Sequence, residues 1–410
     1  MTFRIALSGL NAAQSDLDVT ANNVANTATN GFKGSRTEFA DLFAVSLQGV
    51  SSNSSGNGVR VANVAQQFAQ GNIEFTDSNL DLAISGQGLF VLSDAGALSY
   101  TRAGAFQVDR DGYVVNSSQQ RLQVYPALGS GGFNTGGLSD LRLQTTDAAP
   151  QATTEVEYVL NLPANASPPA VAPFDPNDPN TFNQATSLTL FDSLGAAHTG
   201  TLYFTKTAAA NAWNTRLYID GTAVDGGVPG ASVALQYSNV GGLTAPAGGL
   251  AAFPAYTPAT GAANITVTVD LSRSSQFGSN FAVNSVTQDG FTTGRLIGID
   301  ITETGIVQAR FTNGRSQPLG QVAIANFSNV QGLQQLGNTS WAETFASGQA
   351  LRGQAGNSGF GLVQSGALEA SNVDITEELV KMITAQRNFQ ANAQMISTAD
   401  AVTQTIINIR

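Results

Sequence analysis

Histidine and cysteine, the side chains that most often transfer protons or bind metals, are almost missing from this chain. His198 is the single histidine, and the 410 residues include no cysteine. A catalytic histidine needs a partner that orients its ring, and the spacing around His198 shows none. One imidazole without thiols excludes disulfides, thiolate zinc sites, cysteine nucleophiles and sites that need two imidazoles. We therefore predict that His198 is an ordinary surface residue and that the chain has no catalytic or metal-binding residue.

Three other patterns bear a superficial likeness to functional sites. Gly86–Gly88 lacks the third glycine and the following helix that a dinucleotide-binding loop needs. The acidic stretch 175–179 contains prolines and lacks the glycine and glutamate of a calcium loop. Asp109 and Asp111 lie in a turn-forming stretch before Gly112, which indicates a hairpin and not an acid–base pair. We therefore predict no cofactor and no enzymatic activity.

The charge balance limits the possible partners. Eighteen basic residues oppose 29 acidic ones, which gives a net charge of −11 at pH 7. Basic residues do not cluster, and we interpret Lys33 and Arg36 as part of a solvated turn. Nucleic-acid phosphates need clustered Lys and Arg, so nucleic acid is excluded as a partner. We expect no membrane insertion and no cleaved signal peptide, because the sequence lacks the apolar runs that both require.

Both ends of the chain carry a helical heptad pattern. Apolar residues in 1–28 follow alternating steps of four and three, which predicts a helix with one apolar seam. A longer helix is predicted from Asp374 to Arg410, where the sequence has neither glycine nor proline. The seam positions that we predict to mediate self-assembly are Leu7, Leu10, Leu17 and Val24 in the first helix and Ile375, Leu379, Met382, Phe389, Ile396, Val402 and Ile406 in the second.

These seams offer little apolar area to a single pair of helices. Gln14 interrupts the first seam and Gln386 interrupts the second. Isolated helices are marginal in water, so the two helices need further partners. We expect them to be poorly ordered in the free subunit and to become ordered when many copies of the chain pack together.

Between the helices the sequence is typical of β-structure. Strands alternate with Gly-containing turns, and hairpins are predicted over 105–115, 187–207 and 296–311. The proline-rich stretch 150–179 is interpreted as an exposed connection into an inserted domain. The predicted fold is mainly β with terminal α-helices, in which nested β domains are built on a coiled-coil-like pair of N- and C-terminal helices.

Four nested parts are predicted from these transitions. They are an inner helical assembly domain (1–28 plus 371–410), a connecting segment (29–72 plus 357–370), an inner β domain (73–148 plus 285–356) and an inserted outer β domain (149–284). Asn30-Gly31 marks the passage out of the first helix, because both residue types tolerate left-handed backbone angles.

Several motifs resemble those of the bacterial flagellar rod and hook proteins, a family of axial structural proteins. The stretches that carry the resemblance are 8–13, 21–26 and 30–33 near the start, 85–90 and 100–106 in the first β part, and 366–374 and 385–393 near the end. The residues assigned to the family motif and linker are Asn22, Asn23, Asn26, Asn30, Gly31 and Phe32. Within this family, a chain of about 400 residues with an inserted β domain looks like the hook members.

The resemblance implies a structural protein and not an enzyme. It implies a homopolymer of many copies that forms a curved tube and acts as a universal joint between rod and filament. The implied partners are the distal rod protein, the hook cap, the hook–filament junction proteins and the flagellar type III export apparatus. The implied location is extracellular, reached through the type III channel without a cleaved signal peptide.

Two other interpretations remain open at this point. The first is a distal rod or junction component of the same structure, which forms a straight polymer. The second is a secreted β-rich protein that binds or hydrolyses carbohydrate, which requires a cleft with paired carboxylates.

Overall fold

A computed structural model describes residues 2–42, 56–128, 131–143, 147–228 and 230–408. A helix lies at each end of this part of the chain, and strands occupy most of the region between them. The predicted fold class, mainly β with terminal α-helices, is confirmed. Neither helix in the described residues contains the long apolar stretch that crossing a bilayer requires.

The elements follow the chain in a simple order. Helix α1 (Thr2–Ala25) precedes β1 (Ser35–Asp41), β2 (Val59–Gln66), β3 (Ile73–Phe75), β4 (Leu82–Ser85), β5 (Leu89–Asp94), β6 (Ala97–Thr101), β7 (Gln107–Val108), β8 (Val114–Val115), β9 (Arg121–Pro126) and β10 (Ser139–Asp140). Next come β11 (Glu155–Pro163), β12 (Gln184–Phe191), β13 (Ala197–Lys206), β14 (Ala212–Ile219), β15 (Thr222–Ala223), β16 (Val233–Tyr237), β17 (Leu243–Ala245), β18 (Leu250–Ala252), β19 (Thr268–Asp270), β20 (Ser275–Phe277) and β21 (Ala282–Gln288). The last group is β22 (Leu296–Ile301), β23 (Ile306–Phe311), β24 (Ser316–Asn326), β25 (Gln334–Gly337), β26 (Ser340–Ala342), β27 (Leu351–Gln354), β28 (Leu362–Ser365), β29 (Ala367–Glu369) and helix α2 (Ile375–Asn408). Short 3₁₀ turns occupy Pro179–Thr181, Ala247–Gly249 and Val330–Gly332.

The two helices form close to their predicted bounds. Helix α1 ends at Ala25, three residues before the predicted end, and a series of turns follows it. The first turn of α2 is capped by Asp374, whose Oδ1 accepts the amide protons of Thr376 (2.7 Å) and Glu377 (3.2 Å). These hydrogen bonds hold the pKa of the Asp374 carboxyl below its ordinary value. The last two residues of the predicted second helix lie outside the described residues.

The chain divides into two compact units. The first unit comprises Met1–Thr145, Gly298–Arg310 and Ser316–Arg410, and the second comprises Thr146–Ile297 and Phe311–Arg315. The division into four nested parts stays a prediction.

The first unit contains the helix pair and a large antiparallel sheet. The strands of this sheet follow the order β22–β23–β24–β9–β5–β6–β26–β25, so that β25 is the last strand of the path. Apolar residues from adjacent strands form its core on both faces of β5. The most deeply buried members of that core include Ile84, Phe90, Val91, Leu92, Tyr100, Leu122, Val322 and Ile324.

The second unit is built from two sheets. Strand β11 pairs in parallel with β19 and β20 and antiparallel with β21, and the other sheet has the order β12–β13–β14–β16–β17. Every second residue of β14 is buried, which is the periodicity of a strand with one face on a core. Trp213 and Tyr158 lie in that core, fully buried.

The sequence motifs that could have been mistaken for sites serve as turns. The three predicted hairpins are confirmed, since β7 pairs with β8, β12 with β13 and β22 lies beside β23. Asp109 Oδ1 accepts the amide protons of Asp111 and Tyr113, both at 2.8 Å, and closes the first of these turns. In the stretch 175–179, Asp175 Oδ1 accepts the amide proton of Asn177 (2.9 Å) in another local turn.

The prediction for His198 is wrong, because this residue is buried and doubly partnered. His198 is the second residue of β13 and is only 7% exposed. Its Nδ1 lies 2.6 Å from Asp220 Oδ2, and its Nε2 lies 3.3 Å from Asp192 Oδ2. Both ring nitrogens therefore face carboxylate oxygens, which favours the doubly protonated cation. Burial by itself lowers the pKa of His198, but Asp220 and Asp192 outweigh burial and raise the pKa above its ordinary value.

This arrangement makes the stability of the second unit depend on pH. Because folding raises the pKa of His198, the protonated ring stabilises the folded second unit, and this contribution is complete below the unfolded pKa of about 6.5. That stabilisation is lost as the pH rises through the folded-state pKa. We expect the urea midpoint of the second unit to fall as the pH is raised above about 6.5.

Tryptophan fluorescence can follow this unit separately, because Trp213 lies in the second unit and Trp341 in the first. A Trp341→Phe background therefore reports on the second unit alone. Adding His198→Gln to that background should remove the decline in urea midpoint with pH. An equal decline in both proteins would show that another group is responsible.

Candidate assembly site

The predicted seam residues lie on the helix pair, and α1 packs directly against α2. Leu7 is 41% exposed, Leu379 is 44% exposed and Val402 is 59% exposed, and Ile375 is also exposed. The half-buried seam residues are Leu10, Leu17, Val24, Met382, Phe389 and Ile396. The side chain of Ile406 lies outside the described residues. The helix pair therefore leaves much of its predicted seam in contact with water.

Small side chains make the closest contact between the two helices. Ala6, Ala13 and Ala385 are buried, although none was assigned to the seam. At Gly9 an added Cβ would lie 2.5 Å from Asn392 Oδ1, so the Asn392 side chain of α2 packs directly over this glycine of α1. Spacing of small residues in α1 was the sequence signal for this contact, but it is weaker than a leucine heptad.

Because small residues occupy the contact, further large apolar residues remain on the outside of the pair. Those outside the set predicted to mediate self-assembly are Phe3, Val380, Ile383, Met395 and Ile407, all exposed; Phe3 and Met395 follow the heptad seams, and the other three do not. Together with the seam residues they form an apolar surface that extends along both helices.

Asn23 joins α1 to the start of β1 and to α2. Its Oδ1 accepts the amide proton of Ser35 (2.9 Å), and its Nδ2 donates to the Ser35 carbonyl (2.7 Å) and to Glu378 Oε2 (3.1 Å). Asn23 and Glu378 are both buried, and Glu378 Oε1 also accepts a proton from Lys381 Nζ (2.9 Å). The Asn23 amide therefore uses both its donors and its acceptor, and no side chain without an amide can replace it.

The other motif residues have separate places. Asn26 Nδ2 donates to the Asn22 carbonyl (2.9 Å); Asn22 is exposed in the last part of α1, and Asn30 is exposed on the turns that follow it. Gly31 has a φ of +68°, and a Cβ there would lie 2.4 Å from the backbone nitrogen of Ala103. This close approach requires glycine. Phe32 is half-buried beside it.

The interpretation of Lys33 as part of a solvated turn is wrong. Lys33 is fully buried and its Nζ donates to Glu369 Oε1 and to the Ala69 carbonyl, the latter at 2.7 Å. Glu369 is also fully buried and accepts from Arg102 Nη1 (3.0 Å) and from the amide of Gly71 (2.9 Å). Arg36, by contrast, is exposed and pairs with Glu38 at the surface.

This buried ion cluster, formed by Lys33, Arg102 and Glu369, holds two positive charges against one negative charge. Burial is the main reason that the pKa values of Lys33 and Arg102 are lowered, and the attraction of Glu369 opposes that effect in both. Lys33 follows the turns after α1, and Glu369 ends β29 shortly before α2. The cluster therefore ties the bases of both helices to the β sheet of the first unit.

The environment of Asn23 leads to a specific prediction. Replacing Asn23 with Asp puts a carboxylate where an amide now donates to Glu378, so two negative charges face each other in a buried place. At neutral pH we expect the free energy of local opening around Asn23 to fall by about 1–3 kcal/mol. This free energy should recover as the pH falls towards about 4, where carboxylates become protonated.

Hydrogen exchange of the Ser35 amide, which Asn23 holds, measures the effect of Asn23→Asp. Asn22→Asp is the matched control, because Asn22 lies in the same helix but is exposed. Equal exchange rates in the two variants would contradict the assigned role of Asn23.

Comparisons with known families cover most of the chain. Residues 3–33 match the family described as Flagella basal body rod protein, and residues 364–409 match Flagellar basal body rod FlgEFG protein C-terminal. Residues 83–167 match Flagellar hook protein FlgE/F/G D1 domain, and residues 161–291 match Flagellar basal body protein FlaE D2 domain.

Full-length relatives show the same relationship. The chain is 38% identical over 418 residues to Flagellar hook protein FlgE of Escherichia coli (strain K12), with 100% of both chains covered. It is 33% identical over 421 residues to Flagellar hook protein FlgE of Rhizobium meliloti (strain 1021), covering 100% of this chain and 98% of the relative.

A solved structure supports the fold. The crystal structure of Helicobacter pylori flagellar hook protein FlgE2 has a TM-score of 0.56 at 15% identity, covering 72% of this chain and 100% of that one. The assignment to a family rests on the relatives that match this chain over its whole length. The chain belongs to the flagellar hook protein family, whose members are structural proteins of the bacterial flagellum and not enzymes.

Proposed function

We propose that the chain is a structural subunit of the flagellar hook, which self-assembles into a curved tubular polymer and acts as a universal joint between rod and filament. The observation that carries this proposal is the apolar surface that the helix pair leaves in water. Burying apolar side chains such as Leu379 and Val402 against other copies is favourable, and a lone helix pair does not supply that burial.

The residues proposed to make the contacts between copies are those of the predicted seams. They are Leu7, Leu10, Leu17 and Val24 on α1, and Ile375, Leu379, Met382, Phe389, Ile396, Val402 and Ile406 on α2. Charge does not oppose this packing, since 388–408 contains a single charged residue, Asp400.

The mechanical role follows from two different kinds of contact. The apolar seams of many copies form a closely packed inner tube, and close packing makes this layer stiff to twist. The β units meet through polar and hydrated contacts, which are individually weak and let neighbouring copies slide as the tube bends. The polymer therefore transmits torque while it changes its curvature.

The more specific partners belong to the same proposal. The distal rod protein, the hook cap and the hook–filament junction proteins are its neighbours, and the flagellar type III apparatus exports it to the cell exterior without a cleaved signal peptide. A chain without cysteine suits this route, because it forms no wrong cross-links outside the cell.

Assembly of the purified chain tests this function. Under polymerising conditions we expect electron microscopy to show curved tubes and hydrogen exchange in α1 and α2 to slow sharply relative to the monomer. Straight tubes would indicate a rod component instead. A chain that remains a single particle with fully protected helices at every concentration would contradict the proposal.

A further inference from the structure

A groove in the first unit runs between the end of α1, strand β2 and the hairpin of β25 and β26. It consists of two adjoining cavities of about 270 and 350 Å³, which share Gln66 and Gln335 in their walls. Amide side chains dominate its rim, and Trp341 and Phe68 provide apolar surface inside it. The two rings are in contact, with their centroids 5.5 Å apart.

The groove is unusual in its lack of charge. The segments that line it lie within or beside the runs 19–32, 61–73 and 316–342, none of which contains a charged residue, although the chain carries a net charge of −11. Lys33 borders one cavity, but its ammonium group is buried against Glu369. Copies of an acidic chain repel one another. The electrostatic repulsion between two copies is therefore smallest when they meet through an uncharged surface.

One wall of the groove is a sheet edge without the usual protection. All four residues of β25 are exposed, and they include neither a charged residue nor a proline. Edge strands that face only water usually carry such residues to prevent contact with other chains. The opposite wall includes Val19 and Asn22 of α1, so the groove adjoins the helix pair.

A rigid loop close to β25 holds an aromatic ring fully in water. Among the large apolar residues that the structure describes, Phe345 is the most exposed, at 106% of its reference area. The hydroxyl of Thr344 donates to the Gly332 carbonyl (2.6 Å) and accepts the amide proton of Ser347 (3.2 Å), and Ser347 is completely buried. A large apolar side chain on a loop that hydrogen bonds hold in place is typical of an anchor residue in a protein–protein interface.

We propose that Phe345 of one copy inserts into the uncharged groove of a second copy, an inference that rests on the proposed polymer. A cavity of ~150 Å³ accommodates a benzene ring, so each of the two cavities has room for the phenyl group. Half-buried Phe68 offers the ring an aromatic partner, and the buried Trp341 supports Phe68 from inside. Because the inserting and receiving surfaces differ, the contact can repeat head to tail from copy to copy, which is the kind of contact that an open helical polymer needs.

The first test removes the ring. Because the Phe345 side chain is fully exposed in the single chain, Phe345→Ser should leave the monomer folded. Its critical concentration for polymerisation should rise about 10- to 100-fold, the effect of losing one buried phenyl ring per contact. Phe75→Ser is the matched control, because Phe75 is another exposed phenylalanine of the first unit, and we expect it to shift the critical concentration less than about twofold. Equal critical concentrations for the parent and Phe345→Ser would overturn the proposal.

The second test locates the contact by disulfide cross-linking, which is clean in a chain without natural cysteine. In a Phe345→Cys/Asn63→Cys double variant, polymerised above its raised critical concentration and oxidised, we expect a ladder of linked copies on a non-reducing gel. Asn63 lines the groove and is exposed. The control pair Phe75→Cys/Asn63→Cys should give no ladder.

The outcomes separate the two proposals. If the double variant forms tubes but its oxidised protein migrates on the gel only as monomers, or only as dimers, the insertion of Phe345 into the groove is overturned. The proposed polymer function would then still hold. Failure of the parent chain to polymerise at all would remove the proposed function, and the insertion with it.

Discussion

Replacing Leu379 with Asp is expected to abolish polymerisation while both units of the chain remain folded. In the single subunit Leu379 is 44% exposed, so an aspartate at this place keeps contact with water and disturbs little. In the proposed polymer we expect the same side chain to be enclosed by other copies, and burying an unpaired carboxylate there costs several kcal/mol for every subunit added. The critical concentration should therefore rise beyond any that can be reached in solution.

Sedimentation and electron microscopy of the Leu379→Asp chain measure this loss, and circular dichroism shows whether the monomer is intact. Leu379→Met is the matched control, because it preserves an apolar side chain of similar volume and should polymerise like the parent. Normal tubes formed by Leu379→Asp would show that this part of α2 does not meet other copies. Val402→Asp, at a more exposed position of the same helix, should repeat the result.

Replacing Glu369 with Ala is expected to cost the first unit about 3–5 kcal/mol, because two buried cations lose their common partner. Lys33 can relieve part of this cost by releasing its proton, since burial already lowers its pKa. Arg102 cannot, because a guanidinium stays protonated in proteins. The substitution also removes the acceptor of the Gly71 amide, which lies 2.9 Å from the carboxylate.

Urea unfolding followed by Trp341 fluorescence in a Trp213→Phe background measures the stability of the first unit. Glu38→Ala is the control, because it breaks the exposed ion pair between Arg36 and Glu38 and should cost no more than about 1 kcal/mol. A similar change for Glu369→Ala and Glu38→Ala would mean that the buried ion cluster contributes little.

Weakening the cluster should also impair assembly. Lys33 holds the segment that follows α1 and Glu369 holds the segment that leads into α2, so their loss should free the helices to change direction relative to the sheet of the first unit. This effect differs from that of Leu379→Asp, which changes the contact surface and leaves the helix bases in place.

The glycine-marked hairpins and the two helices are local features, and the sequence predicted them well. Heptad spacing defined α1 and α2 to within three residues, and the turn residues located the pairs β7–β8 and β12–β13. Such features depend on neighbours a few positions apart, so one-dimensional spacing contains the necessary information.

The errors concern side chains whose partners lie on other elements of the fold. His198 was predicted to lie at the surface because its partners, Asp192 directly after β12 and Asp220 directly after β14, reach its ring only when those strands pair with β13. Lys33 was predicted to lie in a solvated turn because its partner, Glu369, is 336 positions away in the sequence. No spacing rule reveals such a pair.

The amino-acid sequence by itself determined the class of this protein: a β-rich chain with helices that carry apolar seams at its two ends. Only the tertiary structure decided which charges are buried, how small residues bring the helices together and which apolar side chains remain outside. The physical reason is that periodicity and turn preference are properties of short segments. Burial, in contrast, depends on how distant segments pack, and the same leucine can be core or surface according to what lies against it.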